Sequence, residues 1–190
     1  NGVEPPPNSH ARIDDGTAVP FELVKKVFEG IPGANRPERI AIPRRRDYAL
    51  RDDVEQIQKM PPSVGKAFAT LLPAVDADGN ELAGIRLPEI AVPLATHTGW
   101  TLRHKDIGGE AQLLMFAGAT IRFAATESQR IASGDPRPSI AERHVSKGDY
   151  LNRVRDEAEK LVERQYMLEE DIEFCLEQAE RSWNYFSAEK

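Results

Sequence analysis

"SKGDYLNRVRDEAEKLVERQYMLEEDIEFCLEQAERSWNYF", residues 146–186, is the stretch whose periodicity says most about the fold. Leu151, Val154, Ala158, Leu161 and Val162 recur at spacings of three and four, the period of an amphipathic helix. After a break near Met167 the pattern resumes with Ile172, Cys175, Leu176, Ala179, Trp183 and Phe186. Ser146 followed by Asp149 has the spacing of a helix N-cap, where a hydroxyl accepts from an orphan backbone N–H. Two such helices with a short join predict a helical hairpin over 146–190. Its charged faces, "RDEAEK" and "LEEDIE", read as solvated surface, while its apolar stripes must pack on the body or on another chain.

Working upstream, "GDPRPSIAERH" is a turn that restarts helix at Ser139, with Glu142 in capping-box position. "TESQRIASG" predicts a short helix begun at Thr126 and closed by Gly134. In "KAFATLLPAVDADGNELAGIRLPEIAVPLA" apolar segments flank Asp78-Gly79, a strong turn pair, and predict β structure. A calcium loop fails there: counted from Asp76, Gly79 comes fourth and the twelfth residue is Leu87, not a glutamate. "RIAIPRRRDYAL" suggests an edge strand interrupted at Pro43, and "FELVKKVFEGIPG" a short helix with Phe21, Val24, Val27 and Phe28 on one face. The expected fold class is α+β: a small antiparallel β region with irregular loops and the C-terminal helical hairpin. The expected division is a Pro-rich linker over 1–20, a β-rich body with short helices over 21–145, and the hairpin over 146–190.

Composition narrows function by exclusion. The chain has 190 residues and a formal net charge of −6, which argues against non-specific nucleic-acid binding. The one dense basic run, "PRRRDYALR", reads as a solvated strand end, with an anion or partner contact as the alternative. A single cysteine, Cys175, excludes an internal disulfide and reads as a small buried hydrophobe. No stretch approaches the roughly 18 apolar residues of a membrane span. The chain opens "NGVEPPPNSH" without an initiating methionine, so it is expected to belong to something longer, and its compartment stays unknown.

Chemistry-bearing residues concentrate in "VPLATHTGWTLRHKDIGG", residues 92–109. Trp100 is expected to anchor a loop by burying its ring, with Arg103 stacking or hydrogen-bonding nearby. The competing reading is ligand contact, with His97, Trp100, Arg103 and His104 as the ligand-binding candidates, an aromatic wall and a cation for an anion. Thr96, Thr98 and Thr101 are expected to share a face of an extended segment and to pack rather than react. There is no G-x-S-x-G elbow, no phosphate loop and no paired-cysteine or H-x₃-H metal spacing. No catalytic residue, metal ligand or cofactor is therefore assigned. A small enzyme using His97 or His104 with Asp106 is one alternative, resting only on the proximity of those side chains in sequence.

Longer phrases carry a resemblance. "VDADGNE-AGIRLPE-AVPLAT-TGW-LR", "R-ASGDPRPSI-ER" and "Y-L-EDIE" resemble the C-terminal part of a bacterial family of alpha/beta hydrolase domain proteins of uncharacterised substrate. The resemblance covers nearly the whole chain, weakest over 21–60, and implies a serine nucleophile with its acid and base partners upstream of these residues. It implies asparagine where Thr101 stands and tyrosine where His97 stands; a tyrosine-to-histidine exchange fits a half-buried aromatic position better than an obligatory base. On this reading the chain is a C-terminal accessory segment of an α/β-hydrolase, without its own nucleophile, partnered by the upstream core and shaping its pocket with Trp100 and Arg103. The alternative is a free-standing module that pairs with itself through the stripe of Ile172, Leu176, Trp183 and Phe186.

Overall fold

The computed structural model describes residues 9–38, 40–49 and 57–188. A strand, β1 (Ala18–Pro20), leads directly into helix α1 (Phe21–Phe28). An exposed ribbon follows, β2 (Arg44–Asp47) and β3 (Ser63–Ala67), and then β4 (Leu71–Pro73). A one-turn helix, α2 (Pro88–Ala91), precedes β5 (Ala95–Thr98), and β6 (Ala119–Arg122) is the last strand. Four helices complete the order: α3 (Glu127–Ser133), α4 (Ile140–Arg143), α5 (Lys147–Glu163) and α6 (Ile172–Phe186). The chain is α+β. Among the described residues the strand pairings are β1 with β4, β2 with β3 and β5 with β6, all antiparallel.

Local chemistry explains the helix boundaries. Thr126 Oγ1 accepts from Gln129 N at the start of α3, and Gly134 ends it in the left-handed conformation. Ser139 and Glu142 form a complete capping box on α4, and Ser146 Oγ accepts from Asp149 N on α5. Glu142 also takes two hydrogen bonds from Arg130, at 2.8 and 3.0 Å. That bidentate pair, followed by the Ser139 hydroxyl and N–H, pulls the Glu142 carboxyl down to about 2.

The hairpin buries its stripe against its own chain. Tyr150, Val154 and Ala179 join Val92, Leu94, Phe123 and Ile140 in one core cluster, with Leu151, Leu176, Trp183 and Phe186 packed on it. Lys147 bonds Glu180 and Arg155 bonds Glu173, so the two helices run antiparallel. A second cluster of Val24, Phe28 and Ile31 sits under Leu72, Trp100 and Ile121. The apolar stripe that sequence left open between body and partner is thus used within the chain.

Three expectations need amending and a fourth holds. The segments around Asp78-Gly79 do not continue as a hairpin: the turn closes with a single bridge, Val75 to Glu81. The pairing edge of β4 is taken instead by β1, the end of the segment read as linker. Cys175 is only partly buried, and burial raises its thiol pKa. The basic run does form an exposed strand, Arg44–Asp47, which pairs with β3; its Leu50 and Arg51 lie outside the described residues, as does Arg39.

Candidate functional site

Residues 92–109 do not close into one site. In the register of β5 on β6, Thr96 faces Ile121 and His97 faces Thr120. Strand alternation buries Thr96 and Thr98 and leaves His97 half-buried. The His97 N–H donates to Asn80 Oδ1 at 2.8 Å, and its Nδ1 lies 3.3 Å from the Thr120 hydroxyl. Burial lowers the imidazole pKa, with Glu89 opposing. Thr120 and His97 make a hydroxyl–imidazole contact, yet among the described residues no carboxylate lies within ion-pair distance of His97 to complete a relay.

Trp100 packs edge-on to Phe28, with centroids 5.2 Å apart at 75°. It divides a cleft of about 630 Å³ from an apolar hollow of about 190 Å³ lined by Val24, Phe28 and Leu72. Arg103 does not stack on it. Its Nε and Nη2 donate to the carbonyls of Gly108 and Ile107, at 2.7 and 2.9 Å. His104 is exposed, its Nδ1 accepting the Asp106 N–H at 3.3 Å. Those two side chains fold their own loop, which is pinned by the Leu102–Leu113 bridge. Of the four ligand-binding candidates, Trp100 alone borders the large cleft, and His104 with Asp106 has no nucleophile bonded to it.

What holds the cleft wall in place is a buried charge network. Arg137 is 1% exposed, and all five of its guanidinium N–H groups are engaged. Nε and Nη2 bond both oxygens of Asp135 at 2.9 and 2.6 Å. Nη1 reaches Thr96 Oγ1 at 2.8 Å and the Ile121 carbonyl at 3.0 Å, and Nη2 reaches the Arg122 carbonyl at 3.2 Å. Burial alone would raise the Asp135 carboxyl, but its bonds to Arg137 outweigh that and hold it below the usual range. Arg143 pairs with Asp78, and Arg137 and Arg143 lie over the Phe123 ring at 5.0 and 4.2 Å. The Thr96 hydroxyl links this network to the Asp78 carbonyl. With every donor used, Arg137 is a positioning group that has none left for a ligand.

The cleft itself offers Trp100 and Phe186 as aromatic surface and Thr98, Gln129 and Ser133 as polar groups. Arg122 is the cation at its edge, exposed and without an ion-pair partner among the described residues. Sequence reasoning passed over Arg122, Asp135 and Arg137. "DPRP" carries no periodic signal, and an arginine within the short apolar run "ATIRFA" looks like any outward strand residue. These groups, two hydroxyls, an amide and a guanidinium, are ones that can bind a ligand. No two glycines in the chain are four residues apart, so a G-x-S-x-G elbow is impossible within it. Among the described residues no group of three or more His, Cys, Asp or Glu could hold a metal. No described helix is long and apolar enough to cross a membrane.

Comparison with known proteins agrees with the sequence phrases. A family model described as an alpha/beta hydrolase domain matches residues 2–177. No match was found among curated proteins or among solved structures. With the match spanning nearly all of its length, the chain belongs to the alpha/beta hydrolase domain family.

Proposed function

We propose that this chain is the accessory segment of an α/β-hydrolase, supplying pocket wall and not nucleophile to the hydrolysis of an ester or related acyl compound. One observation carries the reading: a chain matched to a hydrolase family over residues 2–177 has no nucleophile elbow anywhere in its sequence. Its described strands pair antiparallel in twos, whereas the elbow serine of such enzymes sits at the top of a larger sheet. The partner is the family's hydrolase core, and the contribution to substrate is the cleft beside Trp100 and Arg122. An aromatic wall with a cation that has no ion-pair partner among the described residues suits an apolar acyl group bearing a polar or anionic end. The packing of Leu176, Trp183 and Phe186 on the internal core favours this reading over self-pairing through the same stripe.

The test is turnover of nitrophenyl esters of graded chain length by the purified chain. The expected result is hydrolysis no faster than the buffer background. Saturable turnover that disappears on replacing one serine contradicts the proposal.

A further inference from the structure

A second recess, of about 320 Å³, lies away from the Trp100 cleft and shares none of its lining residues. Its polar walls are Asp76, Asp78, Arg86, Arg143, His144 and Arg153. Both carboxylates are already satisfied. Asp76 Oδ2 accepts from Arg86 at 2.8 Å while its Oδ1 holds the N–H groups of Asp78 and Asn80, and Asp78 takes two bonds from Arg143. Three guanidiniums face these two carboxylates, and a third carboxylate, Asp149, stands 3.9 Å from His144 Nδ1.

The unused donors belong to three side chains. Arg86 commits Nη2 to Asp76 and the Ile90 carbonyl, but its buried Nε has no acceptor. Arg153 commits Nη1 to the Arg143 carbonyl and His144 Nδ1, and no described carboxylate lies within ion-pair distance of it. Those two bonds tether its planar fork at the recess. His144, 4% exposed, has an Nε2 without a hydrogen-bond partner among the described residues. Burial, with Arg153 next, pushes this imidazole down to about 4, so it stands neutral at pH 7.

We infer that this recess is a binding site for a small monocarboxylate, received by Arg153 and Arg86 with His144 beside them. Arg153 commits only Nη1, and a fork with free parallel donors matches a carboxylate. A phosphate dianion would bring a second negative charge next to Asp76 and Asp78. The inference stands independently of the accessory role proposed above, since it concerns binding by this chain alone.

Backbone amide chemical shifts of the ¹⁵N-labelled chain, titrated with acetate and with benzoate at constant ionic strength, read the site directly. The expected result is saturable millimolar shifts at residues 86, 143, 144 and 153, with inorganic phosphate acting no differently from chloride. Arg153→Gln removes a side chain that has no carboxylate within ion-pair distance among the described residues, and it is expected to weaken binding at least tenfold. Arg153→Lys, which keeps the charge without the fork, is expected to recover only part of that loss. Non-saturable shifts, unchanged affinity in Arg153→Gln, or tighter binding of phosphate than of acetate would each overturn the inference.

Discussion

Replacing Arg137 with methionine tests whether the buried ion pair organises the cleft wall. Methionine keeps most of the volume and removes all five donors at once. Asp135, 6% exposed, would keep its charge with the residue-137 backbone N–H as its remaining hydrogen bond among the described residues and Arg130 as the nearby cation. Breaking one side of a buried pair costs about 3–5 kcal/mol, because the remaining charge is desolvated without compensation. The carbonyls of Ile121 and Arg122 also lose a donor, although they border the open cleft, where water can replace it. With a urea m-value of about 2 kcal/mol/M, the unfolding midpoint of Arg137→Met falls by about 1.5–2.5 M. Adding Asp135→Asn removes the stranded charge and should recover about 2 kcal/mol relative to additivity. Arg137→Lys should recover little, since one ammonium cannot span Asp135, Thr96 and two strand carbonyls. A midpoint within about 0.5 M of wild type for Arg137→Met, or strict additivity in the double variant, refutes the reasoning.

Stability should also fall with acid in a defined window. An unfolded histidine takes its proton near 6.5, whereas buried His144 resists until about 4, so its contribution is full above pH 6.5 and is lost as pH drops toward 4. The loss approaches about 3 kcal/mol, and urea midpoints at pH 7, 6 and 5 should show a slope that His144→Phe flattens; an equal slope in both proteins counts against it. At Gly118 an added Cβ would run into the Thr98 carbonyl oxygen, so Gly118→Ala should cost about 2–3 kcal/mol by forcing β5 and β6 apart, read as a lowered thermal midpoint. Arg103→Ala, which loses only exposed bonds to loop carbonyls, should cost less than about 1 kcal/mol in the same melt.

The helical third of the chain was readable because its signals are local. Thr126, Ser139 and Ser146 cap helices from positions defined by spacing alone, and the stripe through Val154, Ala158 and Ala179 needs only a period. The strands were harder, since which edge pairs with which is a long-range choice. Nothing local in "AVP" announces that it meets "LLP" more than fifty residues later. The cleft wall was hidden for a related reason. Residues 92–109 are dense in functional side chains, but Arg103 and His104 turn back onto their own loop. The groups that build the cleft wall, Thr96, Arg122 and Arg137, converge from three separate segments. Arg137 in particular is a charged residue between two prolines, and only the fold shows that it is among the most deeply buried side chains.

The most direct test of the accessory reading is intact-mass spectrometry of the purified chain after exposure to a fluorophosphonate, which labels an activated serine covalently. Ser133, Ser139, Ser146 and Ser187 are engaged as caps or bonded to backbone, Ser63 takes a bond from Lys59, and among the described residues no serine hydroxyl has an imidazole bonded to it. The account predicts an unshifted mass. Stoichiometric addition of one phosphonyl group at a single serine would contradict it.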